Sequence, residues 1–195
     1  MIIEGLLTTT SAEGTAHVAP MGPVVDANLQ HWTLRPFASS NTFRNLQFNA
    51  DCIFHVVDDV LPVVQAALGM PTSLPFEPLD SGAAPGGRSP AWTIPSACHW
   101  YHLRVTQWDT SQDRSVAQAQ LISQRVLRPF WGWNRAKHAI LEATILASRI
   151  HMLEADAIKQ DLVRFEVAIG KTAGERELQA WQLLRDFFQA NGQQL

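Results

Sequence analysis

The hydrophobic period of this chain changes once, near Trp133, from the two-residue alternation of strands to the three-and-four spacing of helices. That change predicts a β-rich first two-thirds and a helical last third. In the first part, Ile2 to Thr10 and Thr15 to Val25 read as strands joined at Glu13-Gly14, a hairpin-type turn signal. Asp26-Ala27-Asn28 turns the chain into a strand from His31 to Phe37, a short helix follows near Asn41 to Asn49, and Cys52 to Val57 returns as a strand. His99 to Trp108 and Arg114 to Arg128 predict two more strands, although VAQAQLISQRVL in the second also fits a helix. The result is a meander with a helix at one corner.

Between Gly69 and Ala97 stand six prolines and the Gly86-Gly87 pair, which exclude long regular structure. A lid or insertion and an ordered surface wrap are both open readings of this stretch. From Asn134, which can cap, Ala136, Ile140, Ala143, Ala147 and Ile150 recur on one helical face, with Leu141, Ile145 and Met152 on a neighbouring one. Arg135, Glu142 and Arg149 line a stripe of that helix, either a solvated face or a charged element at an interface or ligand. A second helix from Ala155 to Ile169 repeats the rhythm through Ile158, Leu162 and Phe165, with Gly170 at its expected stop. A third spans Ala173 to Ala190, with a capping box from Thr172 to Glu175 and a buried stripe of Leu178, Trp181 and Phe188.

With 195 residues, 46% hydrophobic and 17% charged, the chain can bury one sizeable core with a small appendage. The net charge of −3 and the lack of any Lys/Arg run argue against nucleic acid as a partner. No apolar run approaches the ~20 residues of a membrane span, and MIIEGLLTTT lacks the zones of a signal peptide, so the expectation is a cytoplasmic protein with no membrane partner. Cys52 and Cys98 suit reduced, buried thiols.

The stretch HWTLRPFASSNTFRNLQFNADCIFHVVDD, His31 to Asp59, offers the chemistry. A strand ends at Arg35, and Ser39, Ser40 and Thr42 lead into a helical turn with Arg44 and Asn45. Unpaired N–H groups at a helix start, hydroxyls and a guanidinium together make a phosphate cradle. The alternative is that Ser40 or Asn41 only caps the helix. Other motifs fail. Gly170-Lys171-Thr172 lacks the glycine five positions earlier that a phosphate loop needs, that place being Phe165. His99 and His102 fall on opposite faces of a strand, so no metal site is expected. No G-x-S-x-G elbow or G-x-G-x-x-G fingerprint is present.

The order EGLLTTTSAEGTAHVAPMGPVV, LRPFASSNTFRNL, CIFHVVDD, WNRAKHAILEATILASR and GKTAGERELQAWQLL resembles an uncharacterised family of FMN-binding split-barrel proteins. That family is allied to flavin reductases and pyridoxamine-phosphate-oxidase-like proteins and has a C-terminal helical extension. The resemblance implies a six-stranded Greek-key split β-barrel over residues 1–132, including the Pro-rich loop at 69–97, and a helical subdomain over 133–195. It also implies a homodimer with FMN near the dimer interface. By the same resemblance Ser39, Ser40 and Thr42 hold the phosphate, with Arg35 as the cation and Asn45 as a supporting polar group. Ala19, Pro20 and Met21 would lie along the isoalloxazine ring, or, for Ala19 and Met21, simply pack the strand; Phe37 would shield the ring or fill the barrel.

His55 stands where flavin-reductase relatives often have Asn. It is either a flavin contact and candidate proton carrier or a core histidine with a backbone partner. Trp131, Trp133, Asn134 and Arg135 either close the site or seal a dimer. The implied function is an FMN-dependent oxidoreductase of the flavin-reductase type, with any NAD(P)H or small-molecule substrate docking transiently. A non-catalytic FMN carrier or redox sensor acting through a partner is the alternative, and a haem-binding barrel is the more distant one.

Overall fold

The computed structural model describes residues 1–79, 90–112 and 114–193. The chain divides into two units, Met1–Val57 with Leu74–Phe130, and Asp58–Ser73 with Trp131–Leu195. The first is built on β1 (Gly5–Thr10), β2 (Ala16–Met21), β3 (Val24–Val25), β4 (His31–Leu34), α1 (Asn41–Phe48) and β5 (Asp51–Val56). After these come the short strands β6 (Glu77–Pro78) and β7 (Trp92–Thr93) and the long strands β8 (His99–Asp109) and β9 (Val116–Val126). The main sheet runs β2-β1-β5-β8-β9-β4-β3, antiparallel at every pairing, and β6 pairs β7 apart from it.

The two ends of this sheet meet, because β2 and β3 are halves of one bent run. Ile2, ahead of β1, bridges Val24, and the Val25 N–H donates to the Met1 carbonyl at 2.8 Å. The main sheet therefore has seven strands where six are expected, the run Thr15 to Val25 breaking at Gly22-Pro23. Proline offers no N–H to a ladder, and the Glu4 carboxylate lies where a Cβ on Gly22 would stand, 2.6 Å from Oε1. Residues 116–126 form a strand, not a helix: Ala117 and Ala119 are buried while Gln118 and Gln120 are exposed, a period of two.

The barrel interior centres on Trp32, whose ring lies 5.3 Å from Phe54 and 4.9 Å from Tyr101, with Leu7, Leu34 and Leu103 packed around them. The Trp32 indole N–H donates to Leu29 O at 2.8 Å. Leu29 sits at φ 56°, in a turn held by the Asp26 carboxylate, which accepts from the N–H groups of Gln30 and His31.

On the outer face of β1 and β5, the end of the Pro-rich stretch is an ordered wrap. Thr10 Oγ1 donates to Pro90 O at 2.7 Å, Thr8 Oγ1 to Trp92 O at 2.5 Å, and the Ile94 N–H to His55 Nε2 at 3.0 Å. Pro85 and the Gly86-Gly87 pair lie outside the described residues. Just before the stretch, where the sequence pattern assigns no element, Leu61–Ala67 is a helix, α2, with proline in its first turn, where a missing N–H is tolerated.

The second unit packs α2 with α3 (Arg135–Ser148), α4 (Ala155–Thr172) and α5 (Glu175–Ala190) around Ile140, Ile158, Leu162, Leu184 and Phe188. Asn134 caps α3 by accepting from the Lys137 N–H at 3.0 Å, and its amide donates to Thr172 O. Thr172 Oγ1 also accepts from the Ala136 N–H. These bonds explain why α4 continues past Gly170 to Thr172, and why Thr172 does not cap α5. The α5 start is instead held by Glu177, whose carboxylate accepts from the Gly174 N–H at 2.8 Å. Leu178 is exposed, and Ala180 and Leu184 complete the stripe of Trp181 and Phe188. Arg135, Glu142 and Arg149 are all exposed, a solvated face, and Met152 lies outside α3 in a short 3-10 turn. Cys52 and Cys98 are buried thiols, and no described helix is long and apolar enough to cross a membrane.

His55 is fully buried, and burial pulls its pKa from 6.5 down to about 4. Between those values the unfolded chain takes up a proton that the folded chain refuses. Stability from this group is therefore complete above about pH 6.5 and falls by about 3 kcal/mol as the pH drops to 4. Denaturant titrations at pH 7 and 4 should show that loss, and His55→Gln should show a correspondingly smaller pH dependence.

Candidate functional site

The turn from Phe37 into α1 is tied at both ends. The Ser40 N–H and hydroxyl both donate to Phe37 O, at 2.9 and 2.7 Å, while Ser40 Oγ accepts from the Phe43 N–H at 3.1 Å as the helix cap. Capping satisfies one of the first N–H groups, and those of Asn41 and Thr42 still have no helical carbonyl behind them. The first turn of α1 has no acidic residue, so the positive end of its dipole is uncompensated. Arg44 reaches back over this turn, donating to Ser39 O at 2.7 Å and to the Asn41 side chain.

Asn45 is buried and donates to Thr9 Oγ1 at 3.0 Å, which fastens α1 to β1. Thr42 is buried beside it. Ser39 is exposed, as are Arg35 and Phe37, and the Arg35 guanidinium has no partner among the described residues. The structure thus brings Arg35, Phe37, Ser39, Ser40, Thr42 and Asn45 into one turn of chain, with Asn45 acting as an anchor behind it.

Ala19, Pro20 and Met21 lie on β2, opposite Leu7, Leu6 and Gly5 of β1. The other edge of β2 has no partner strand among the described residues, which is where a proline is accommodated and where backbone N–H and C=O groups stay available. All six residues of β2 are half-buried, and Met21 also packs against the barrel interior.

His55 does not join these residues. Its Nδ1 lies 3.3 Å from Leu6 O and its Nε2 accepts from the Ile94 N–H, so Nδ1 bears the proton and both nitrogens are used inside the barrel wall. It is the core histidine of the two readings, and the flavin contact assigned to it is corrected on that ground: no ring atom reaches solvent. Trp131 and Trp133, 85% and 87% exposed, belong to the helical unit, as does the cap Asn134, which is occupied within that unit.

Two further residues belong to the site region. His17 lies on β2 opposite Thr9, and its pKa is lowered by burial and then by the Arg44 charge, so it is neutral at pH 7. Alternation along AHVAPMG, which sets His17 on the same side as Ala19 and Met21, was the available signal. Arg114 packs on the Phe37 ring, 5.2 Å from its centroid, and no local pattern announces it because a β-bridge brings it from the far end of the barrel. No group of three or more metal-ligating side chains exists among the described residues.

A curled antiparallel sheet with a capped helix start at one corner defines a split barrel of the flavin-reductase-like kind, here with a helical extension. The chain belongs to the family described as protein of unknown function DUF447, whose N-terminal domain model matches residues 3–128 and whose second model matches residues 134–186. The FMN-bound DUF447 protein MM1853 from Methanosarcina mazei has the same fold, with a TM-score of 0.80 at 20% identity over 95% of this chain and 94% of that one. The flavin reductase HpaC, in complex with NADP+, gives 0.53 at 11% identity over 68% and 82%. The styrene monooxygenase flavin reductase from Pseudomonas putida S12 gives 0.50 at 14% over 65% and 80%. No curated protein matches the sequence.

Because Arg44 disfavours a second positive charge nearby, Arg44→Gln should move the His17 titration upward, toward the ordinary histidine range. An NMR titration of the His17 ring protons checks this, and an unchanged midpoint would place Arg44 too far away to matter.

Proposed function

We propose that this protein binds FMN and acts as an oxidoreductase of the flavin-reductase type, as a homodimer. The observation that carries the reading is the α1 start: spare N–H groups at Asn41 and Thr42, hydroxyls at Ser39 and Ser40, no acid in the first turn, and beside it the exposed Arg35, whose guanidinium has no partner among the described residues. This donor set fits a phosphate dianion. Since Thr42 is buried, its backbone N–H is its contribution, and Asn45 supports the helix from behind. The free edge of β2 at Ala19, Pro20 and Met21 fits the polar edge of an isoalloxazine ring. The FMN bound to MM1853, a member of the same family, supports the same assignment.

Bound FMN supplies electron or hydride transfer, and this chain positions it. The α1 start and Arg35 fix the phosphate, β2 orients the ring by main-chain contacts, and neutral His17 adds no competing positive charge beside Arg44. With no G-x-G-x-x-G fingerprint in the sequence, a nicotinamide donor would dock on the flavin itself. The exposed Trp131 and Trp133 favour a second reading, a non-catalytic FMN protein that acts through a partner. Steady NAD(P)H oxidation by the holoprotein separates the two.

The purified protein should show the absorption bands of oxidised flavin and release FMN on heating. Arg35→Ala should weaken FMN by about 1.5–3 kcal/mol, roughly 10- to 100-fold, and leave riboflavin nearly unchanged. Equal losses for both ligands in a binding titration would remove Arg35 from the phosphate site.

A further inference from the structure

Arg114 stands just before β9, 79 residues along the chain from Arg35. The antiparallel bridge between Phe37 and Arg114 sets their side chains on one face of the barrel wall. Alternation puts Arg35 on the same face, since Pro36 and Ser115 turn inward, both buried, with Ser115 Oγ donating to Pro36 O at 2.8 Å. Arg35, Phe37 and Arg114 therefore form one exposed group, a ring flanked by two guanidiniums.

The Arg114 guanidinium is fixed at two points. Its Nε donates to Arg35 O at 3.0 Å, and its Cζ lies 5.2 Å from the Phe37 ring centroid. Its two Nη groups have no partner among the described residues, and the Arg35 guanidinium has none either. Asp109, at the end of β8, uses Oδ1 on the Ser111 N–H instead. Two cations on one face with no carboxylate between them among the described residues repel each other. An arginine held at Nε and across its face, with both Nη groups outward, is pre-organised for a bidentate contact to a phosphate.

We propose that Arg35 and Arg114 form a two-guanidinium clamp for the phosphoryl group of the ligand, with Phe37 fixing Arg114, and that Arg114 sets the preference for a phosphorylated over an unphosphorylated ligand. The identity of that ligand as FMN rests on the function proposed above, whereas its charge does not. Arg114 is then a specificity residue supplied by the β9 side of the barrel, and Phe37 is its positioning residue.

The test measures binding of FMN, riboflavin and inorganic pyrophosphate to the full chain and its variants. Arg114→Gln should weaken FMN roughly 10- to 100-fold and change riboflavin by less than about twofold. Phe37→Leu should give a smaller loss confined to FMN, and Phe37→Trp, which restores a ring under the guanidinium, should recover it. Arg114→Lys, which keeps the charge without the fork, should fall between Arg114→Gln and the unaltered protein. An unaltered FMN affinity in Arg114→Gln, or equal losses for FMN and riboflavin, would overturn the proposal. If the unaltered protein ignores both flavins yet binds pyrophosphate in an Arg114-dependent way, the clamp stands and the flavin assignment falls. Failure to bind any of the three probes would overturn both.

Discussion

Strand β1 is hydrogen bonded along both edges and buried on both faces, and β2, β5, α1 and the wrap are fastened directly to it. Its residues pair with β2 on one side and β5 on the other, and the residues just ahead of it close the barrel against β3. Thr9 holds α1 through Asn45, while Thr8 and Thr10 hold the wrap at Trp92 and Pro90. Such crowding leaves no space at Gly5, where a Cβ would stand 2.3 Å from the His55 carbonyl and 2.6 Å from the Phe54 ring. A three-threonine run in a fully buried strand is tolerable only because each hydroxyl named here has a partner. The site inherits this rigidity, since both α1 and β2 are attached directly to β1.

The strands and helices were legible in the sequence wherever side-chain period decides them, as at His99 to Trp108 or along Ala136, Ile140, Ala143 and Ala147. Tertiary partners decided the rest. Gly170 reads as a stop, yet α4 runs to Thr172 because the start of α3 takes that residue's hydroxyl and carbonyl. Leu178 reads as core and is exposed, because α5 turns Ala180 and Leu184 inward instead. The helix Leu61–Ala67 hid in a run of apolar residues whose length suits a strand equally well. The capped turn into α1 could be read because its residues are contiguous. Arg114 could not, because only strand pairing brings it to Phe37.

The corner around α1 concentrates positive charge in a chain whose sum is negative. Arg44, Arg35 and Arg114 all border the segment from 35 to 44, and the helix dipole adds to them. Their roles differ by what already binds them. Arg44 donates to Ser39 O and the Asn41 side chain, so it stiffens the turn, and its charge adds to burial in lowering the His17 pKa. Among the described residues Arg114 is held at one edge and open at the other, and the Arg35 guanidinium has no partner. Charge left unmatched among the described residues is what an anionic ligand would complete in the proposed site, and its placement at the surface keeps the unliganded state tolerable, since water screens it.

A flavin held this way would be recognised largely through backbone: N–H groups at Asn41 and Thr42, and the free edge of β2. Main-chain recognition asks little of side-chain identity and much of side-chain shape. Pro20 keeps β2 an edge strand, Ser40 holds the turn into α1, and Gly22 lets the chain bend beside Glu4. These residues do no chemistry, yet each controls where a donor or acceptor points. In the proposed site the side chains beside these backbone groups are guanidiniums, serine hydroxyls, an aromatic ring and the neutral imidazole of His17. His55 is sealed in the wall with both nitrogens bonded, so it carries no proton to this corner, and in the proposed function the redox chemistry belongs to FMN.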